Sequence, residues 1–500
     1  MADHDPLITV VQPRGVLARM KDKYLERMHV SQMLIFCLTY LSYALYHSTR
    51  KTLSTVKSTL KSEWLWENAS ASYVYYPKEL WEGHSVFGSA ADADNYLGYL
   101  DAIFMAVYAA AMYGSGWLGD RWDPRIVVSI GMWGSGVTLL LFGSLTEWLS
   151  LYSPAYYIII YILFGFFQSF GWPNEVSIMA NWFGKHNRGL VLGLWSSCQP
   201  VGNIIGAAIV SVSLPYGYDI AFMVQSALIF FCGFIFFFGA SSNPHEIGLR
   251  APDALPELEE STTEPEERPP AISFLRAILL PGVLAYCLCN ACLKLVNYAF
   301  FFWLPLYLDN AYHLSQEKAD QLSIWYDIGG IVGSVVGGVI SDRLGYRSPV
   351  IVVMLIASLG ALYGYSVTPS DEVINAAVMS VVGAVISGPY NLIVSTISAD
   401  LGSQPQLAGN AEAMSTVTGL VDGTGSAGSA VGQLVVPVIE HNLSWKYVFY
   451  LFILMNFLSI LCLMKRFVQD IGQLCFQKSE EEAPLLDSDI RNDYSEPVSP

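Results

Sequence analysis

The sequence predicts an all-α polytopic membrane protein, with twelve transmembrane helices in two six-helix pseudo-repeats. Three observations carry this. The 500 residues are 53% hydrophobic and only 14% charged, with a mean hydropathy of +0.41, too few charges for a soluble chain of this length. The apolar residues fall in runs near the ~20 residues that cross a bilayer's hydrocarbon core. One charged turn also occurs twice. Gly116-Trp-Leu-Gly-Asp120-Arg121-Trp-Asp-Pro-Arg125 and Gly338-Val-Ile-Ser-Asp342-Arg343-Leu-Gly-Tyr-Arg347 share the pattern G-x-x-x-D-R-x-x-x-R. Each copy follows one apolar run and precedes another, as duplicated transporter halves do.

The elements follow in order. A polar arm, residues 1–28, carries Arg14, Arg19, Lys21, Lys23 and Arg27 and lacks the pattern of a cleaved leader, so the first apolar run is expected to stay as a helix. Helices are predicted near 29–49, 96–118, 126–146, 155–178, 188–212 and 218–240. After a break come 279–308, 321–340, 349–367, 373–398, 411–437 and 445–466. The N-terminal half is therefore 29–240, with a long loop at 52–95, and the C-terminal half is 276–466. An acidic linker at 241–275 joins them and an acidic tail, 467–500, ends the chain. Gly329, Gly330, Gly333, Gly337 and Gly338, and later Gly419, Gly423, Gly425, Gly428 and Gly432, sit in helical runs with no preceding strand. They suit close helix packing rather than phosphate loops.

The net charge of -17 is local to the linker and tail, which are polar, Pro-rich and expected to be disordered. It says little about substrate charge, and nucleic acid is excluded as a partner. Of the eight Cys, Cys287, Cys289 and Cys292 are close in sequence but lie on a predicted membrane helix, and no Cys/His cluster is present, so no metal or cofactor is expected. Most are in or beside apolar runs, where Cys packs as a small hydrophobe. Basic residues (the N-terminal arm, Arg121, Arg125, Lys185, Arg188, Arg343, Arg347, Lys465 and Arg466) fall on one side of the topology, which is then cytoplasmic with both termini. The 52–95 loop faces the lumen or exterior and holds a glycosylation sequon at Asn68.

Ionisable residues at membrane depth are costly and mark paths or pairs. Tyr43, Tyr46, His47 and Arg50 recur at spacings of three and four, which puts them on one helix face. Guanidinium, imidazole and phenols make a wall suited to an oxyanion. For Lys51, and less so Arg50, the alternative is snorkelling at the helix end. Lys294, Asn297 and Tyr298 repeat the spacing on helix 7, with Lys294 deep in an apolar run. A buried ammonium needs a partner, either the substrate anion or Asp422 of helix 11. Glu175 is a third intramembrane charge, functional or a structural partner for a basic residue. No nucleophile and base stand together, so the chain is not expected to be an enzyme.

The doubled D-R turn marks the major facilitator superfamily. Tyr43…His47…Arg50-Lys51, Gly171-Trp172-Pro173, Asn181-Trp182-Phe183-Gly184-Lys185…Arg188-Gly189 and Trp303-Leu-Pro305 together resemble the organophosphate:phosphate antiporters. Lys294-Leu-Val-Asn-Tyr298 and Leu322-Ser-Ile-Trp-Tyr-Asp327 make the chain most similar to the animal sugar phosphate exchangers, over about residues 30–465.

The resemblance implies the major facilitator fold and exchange of a phosphate ester for inorganic phosphate by alternating access. By similarity to the bacterial glycerol-3-phosphate transporter, Arg50 is one of two central phosphate-binding cations, and Tyr43 and Tyr108 are pocket phenols. The second Arg falls at Asn297, with Lys294 one turn away. A pocket Lys falls at Met112 and a pocket His at Asn181. The pocket has lost positive charge, which leaves the cargo open among sugar phosphates, phosphonates and diphosphate-type anions.

The expected gate is the two turns, Gly116, Asp120, Arg121 and Arg125 with Gly338, Asp342, Arg343 and Arg347, their carboxylates paired with Arg or helix ends. Acidic dileucine patterns at Glu481…Leu485-Leu486 and Asp3…Leu7-Ile8 suggest clathrin adaptors and delivery to endosome or lysosome. The resemblance points also to the endoplasmic reticulum. Two other readings remain at this level: proton-coupled anion transport through Asp422, Glu175 or His47, and a sensor or scaffold without transport. The need for an accessory subunit is not legible.

Overall fold

The computed structural model describes residues 16–65, 86–184, 188–249, 272–312, 316–404, 407 and 413–493. Asn68, Asp3, Leu7 and Ile8 lie outside the described residues, as does most of the linker.

Among the described residues, twelve long helical segments form the bundle. α1 is Val16–Leu65, α2 Ala90–Gly119, α3 Pro124–Phe142, α4 Pro154–Trp182, α5 Arg188–Tyr216 and α6 Tyr218–Gly239. α7 is Val283–Tyr312, α8 Gln316–Leu344, α9 Ser348–Ser366, α10 Glu372–Gly402, α11 Met414–Asn442 and α12 Trp445–Asp493. Eleven of these have a stretch both long and apolar enough to cross a membrane. α11 is the exception, with length but a Gly-, Ser- and Thr-rich composition. The twelve-helix expectation is met.

Two helices outrun their predicted bounds. α1 runs from Val16 to Leu65, about four turns past the expected span at each end. α12 runs helically to Asp493, where the acidic tail had been expected to lack structure; the side chains of Glu481, Leu485 and Leu486 lie outside the described residues.

Local chemistry explains the ends. Ser89 caps α2 by accepting from the Asp92 N–H at 3.2 Å. Asp123 caps α3 ahead of Pro124, accepting from the Arg125 N–H at 3.0 Å; this places the first D-R turn on a proline-started helix. α4 breaks at Ser169–Gly171 and restarts with Trp172-Pro173. α10 carries Pro389 and then a π turn, Ile393–Ile397, a local widening of the helix. Trp172 Nε1 donates to the Val394 carbonyl in that turn at 2.8 Å, so the two irregular segments meet across the halves.

The outward faces are apolar: Phe231, Ile235 and Phe238 on α6, and Leu454, Phe457 and Leu461 on α12, are exposed, as lipid-facing positions must be. The inter-half seam is made instead by α2 against α11 and by α5 against α8. Glycine permits both approaches. A Cβ on Gly116 would lie 2.4 Å from the Ser415 carbonyl oxygen, and one on Gly338 2.3 Å from that of Gly189.

Candidate functional site

Arg50 occupies the middle of the seam. It is 4% exposed, and its guanidinium is held from three sides. Nε donates to Gln168 Oε1 at 2.7 Å, and Nη2 donates to the Tyr108 hydroxyl at 3.2 Å and the Gln168 carbonyl at 3.5 Å. Nη1 lies 3.4 Å from His47 Nε2. Tyr108 also offers its ring face, 4.5 Å from Cζ, a contact that contributes about 2 kcal/mol when desolvated. Among the described residues these partners are all uncharged side chains or backbone. Gln168 is fixed in turn by donating to Thr49 Oγ1 at 3.0 Å, and His47 Nδ1 meets Asn203 Oδ1 at 3.0 Å.

The predicted α1 face divides. His47 and Arg50 turn to the centre. Tyr43 packs against Trp172, Trp195 and His47. Tyr46 turns to α3, donating to the Val128 carbonyl at 2.9 Å.

Lys294 enters from α7, fully buried. Its Nζ lies 2.7 Å from Asp422 Oδ1 and 2.8 Å from Ser426 Oγ. Of the two partners open to it from sequence, this structure places the carboxylate. The Tyr298, Tyr108 and Tyr390 rings lie 4.8, 5.5 and 5.7 Å from Nζ. Tyr108 thus stands between the two cations.

Beyond Arg50, away from the D-R turns, a cavity opens between the halves. His47, Lys51, Gln199 and Asn203 line it from one side, and Asn297, Tyr298, Ser323, Tyr326, Asp327 and Asn391 from the other. Lys51 Nζ lies 4.8 Å over the Phe301 ring. Asn297 accepts from the Tyr326 hydroxyl at 2.6 Å, and Asn203 Nδ2 donates to Asp327 Oδ1 at 3.4 Å.

Two predicted residues lie elsewhere. Asn181 lines a separate recess near the D-R turns and donates to the Ser242 carbonyl at 3.1 Å. Glu175 is fully buried between α4 and α1. It accepts from Ser42 Oγ at 3.0 Å, and its other oxygen has no partner among the described residues. Sequence reasoning missed Gln168 and Asp327. Both are polar residues inside helical runs, the signal that had singled out Arg50 and Lys294.

The two turns form a matched pair. Asp120 accepts from the Ser415 and Thr416 N–H groups, both at 2.8 Å, at the start of α11. Asp342 accepts from the Gly189 and Leu190 N–H groups at 3.0 and 2.8 Å, at the start of α5. Each carboxylate of one half thus caps a helix of the other, where the helix dipole favours negative charge. Burial raises the Asp120 carboxyl above its ordinary range, against the lowering effect of the Thr416 and Ser415 bonds.

Arg347 binds Asp342 at 2.5 Å and Asp400 at 3.0 Å, and Arg188 reaches across to Asp400 at 3.2 Å. Burial opposes the Arg347 charge; Asp400 and Asp342 outweigh it and hold the guanidinium above its ordinary value. Arg125 pairs with Asp123 at 3.1 Å, and Arg121 stacks 4.0 Å over the Trp117 ring. Arg343 lies at the end of α8 and is exposed. In this structure the D-R end of the seam is closed.

Twelve helices in two halves, latched by carboxylates at one end and holding buried cations at the seam, define a polytopic transporter rather than an enzyme. The chain belongs to the Major Facilitator Superfamily, whose family model matches residues 39–420. It is 48% identical over 448 residues to sugar phosphate exchanger 3 of Xenopus laevis, covering 84% of this chain and 89% of that protein. Identity to the Homo sapiens protein of the same name is 45% over 468 residues, 89% of this chain and 94% of the relative. A putative glycerol-3-phosphate transporter 1 of Arabidopsis thaliana is 35% identical over 90% of this chain and 92% of its own length. The fold is shared with the proton:xylose symporter XylE bound to 6-bromo-6-deoxy-D-glucose. The TM-score is 0.64 at 12% identity, over 88% of this chain and 96% of that one.

Proposed function

We propose that this protein carries phosphate-bearing organic anions across an intracellular membrane in exchange for inorganic phosphate, by alternating access around Arg50. The observation that carries this is the guanidinium itself: buried in the seam, beside the cavity-lining His47, and bonded to neutral groups. A charge taken out of water is costly until an opposite charge joins it. An arriving oxyanion supplies that charge, with hydrogen bonds of about 1.5–3 kcal/mol each. The relatives agree in kind, being named for sugar phosphate exchange and glycerol 3-phosphate transport.

In this reading the cargo enters through the cavity lined by Lys51 and Asn203, and Tyr43, Tyr108, Asn297 and Tyr298 shape the pocket. Drawing the halves together over the anion closes that side and strains the Asp120 and Asp342 latches. The latched end is cytoplasmic, as are the termini. The dileucine patterns address the protein to lysosome or endosome through clathrin adaptors, with the endoplasmic reticulum as the other station. Asn68 is glycosylated on the opposite side.

Counterflow in proteoliposomes loaded with inorganic phosphate tests the function. Uptake of labelled phosphate should require internal phosphate and vanish in Arg50→Ala. A folded Arg50→Ala protein that exchanges normally would overturn the site. Glu175, buried with one hydroxyl partner, favours a second reading in which a proton travels with the anion. Uptake driven by an inward proton gradient with no internal phosphate would select it.

A further inference from the structure

The two central cations are not equivalent. Arg50 is bonded to neutral groups, whereas Lys294 already holds a carboxylate at 2.7 Å. The two charged groups that line the cavity, Lys51 and Asp327, have opposite signs. Counted this way the site has one surplus positive charge. We infer that Asp422 sets the charge class of the cargo: the site accepts the singly charged form of a phosphate ester and disfavours the doubly charged form. This rests on Arg50 being the anion's seat, as proposed above.

The ion pair is built in, not incidental. Asn290 Nδ2 donates to the Val421 carbonyl at 2.9 Å, tying α7 to α11 beside it. Ser426 Oγ receives Lys294 and donates to the Asp422 carbonyl at 2.9 Å. The backbones are pressed together here. A Cβ on Gly425 would lie 2.3 Å from Asn290 Nδ2, and one on Gly428 2.1 Å from the Ala291 carbonyl oxygen. Asp422 is therefore held where it cancels the field of Lys294 at the Tyr108 ring, the surface both cations share. An anion on that ring meets one net positive charge. A second negative charge meets the Asp422 carboxylate instead, and like charges placed together are a strong means of discrimination.

The groups facing this pair that could also respond to pH or carry charge are Arg50, His47 and Tyr43 from α1, Tyr108 and Tyr113 from α2, Tyr390 from α10 and Tyr298 on α7 itself. The experiment separates their titration from that of the ligand. Full-length protein in proteoliposomes exchanges labelled phosphate, with methyl phosphate or methyl sulfate as competitor. Methyl sulfate is a monoanion throughout. Methyl phosphate gains its second charge near pH ~6, so its inhibition constant should rise about tenfold per pH unit above that. The methyl sulfate constant should stay flat.

Asp422→Asn should strengthen methyl phosphate at pH 7.5 by about tenfold or more, because Lys294 then faces the anion uncancelled. Lys294→Gln with Asp422→Asn should restore the original pattern. Methyl phosphate inhibition that holds or strengthens above pH 6 in the unaltered protein would overturn the inference, and so would a methyl sulfate constant that rises in parallel. The unaltered protein decides the matter even where a variant fails to fold. Loss of phosphate exchange altogether, or exchange surviving in Arg50→Ala, would instead overturn the Arg50 reading.

Discussion

Replacing Asp120 by Ala should open the D-R end of the bundle. The carboxylate accepts two N–H groups of α11, each at 2.8 Å, and both bonds exist only when the halves meet at that end. Hydrogen bonds to a charged acceptor contribute about 1.5–3 kcal/mol each. The helix-dipole attraction acts through the same N–H groups, so it is not added. The lower bound for the pair is about 3 kcal/mol, roughly a 150-fold change in the ratio of closed to open ends. Asp342→Ala should act in the same direction, since its bonds to Gly189 and Leu190 are the equivalent contact. Spin labels on Cys introduced at the exposed Trp122 and Leu344, with the exposed Cys37 and Cys475 changed to Ser, report the separation in nanodiscs. The unaltered protein should give a short, narrow distribution and Asp120→Ala a longer, broader one. An unchanged short population in a folded Asp120→Ala protein would mean that Arg188 and Asp400 hold the end closed, and the latch argument would fail.

Four further outcomes can be measured. Gly116→Ala should shift the same distance distribution outward, because the new methyl falls 2.4 Å from the Ser415 oxygen and overpacking costs about 1–3 kcal/mol. Gln168→Leu removes the acceptor that aims the Arg50 Nε; KM for methyl phosphate should rise about tenfold with the fold intact, and an unchanged KM would remove Gln168 from the site. Lys294→Met leaves Asp422 buried alone and should lower stability by about 3–5 kcal/mol, with Asp422→Asn in the same chain restoring most of the thermal midpoint. Glu63, beyond the membrane span of α1, has a carboxyl pushed up to about 8 by burial and then by Glu147. A carboxyl raised above its ordinary value of 4.5 favours the packed state most when protonated, so stability should fall as pH rises from about 4.5 toward 8. A thermal scan of Glu63→Gln should be flatter over that window.

The duplicated turn made the two halves legible, because four fixed residues at one register need no tertiary information. The depth of Arg50 and Lys294 was legible for a similar reason: charges inside apolar runs stand out against the solvent they lack. What helical spacing could not give was the direction each side chain takes once packed. Tyr43, Tyr46, His47 and Arg50 share a periodicity, yet Tyr46 finds the Val128 carbonyl while Arg50 finds Gln168. Those acceptors lie 82 and 118 positions away, and no local pattern encodes that choice. Asn181 shows the same limit, since its place at the end of α4 sends it to Ser242 instead of the Arg50 cluster.

α11 shows why composition can hide a helix and reveal its job at once. Its length suffices to span, but it falls short of the apolarity of the other eleven. A helix that met lipid along its length could not afford that composition. α11 meets α2 through Gly116 and Gly419, and α7 through Gly425 and Gly428, and it presents Asp422 and Ser426 to Lys294. Its first N–H groups receive Asp120. The helix is polar because protein covers it, and small because two neighbours press on it. The same segment that receives the latch at its start holds the counter-ion of the site two turns further on. A rigid shift of α11 relative to α2 would therefore act on both, which couples the charge state of the seam to closure of the D-R end.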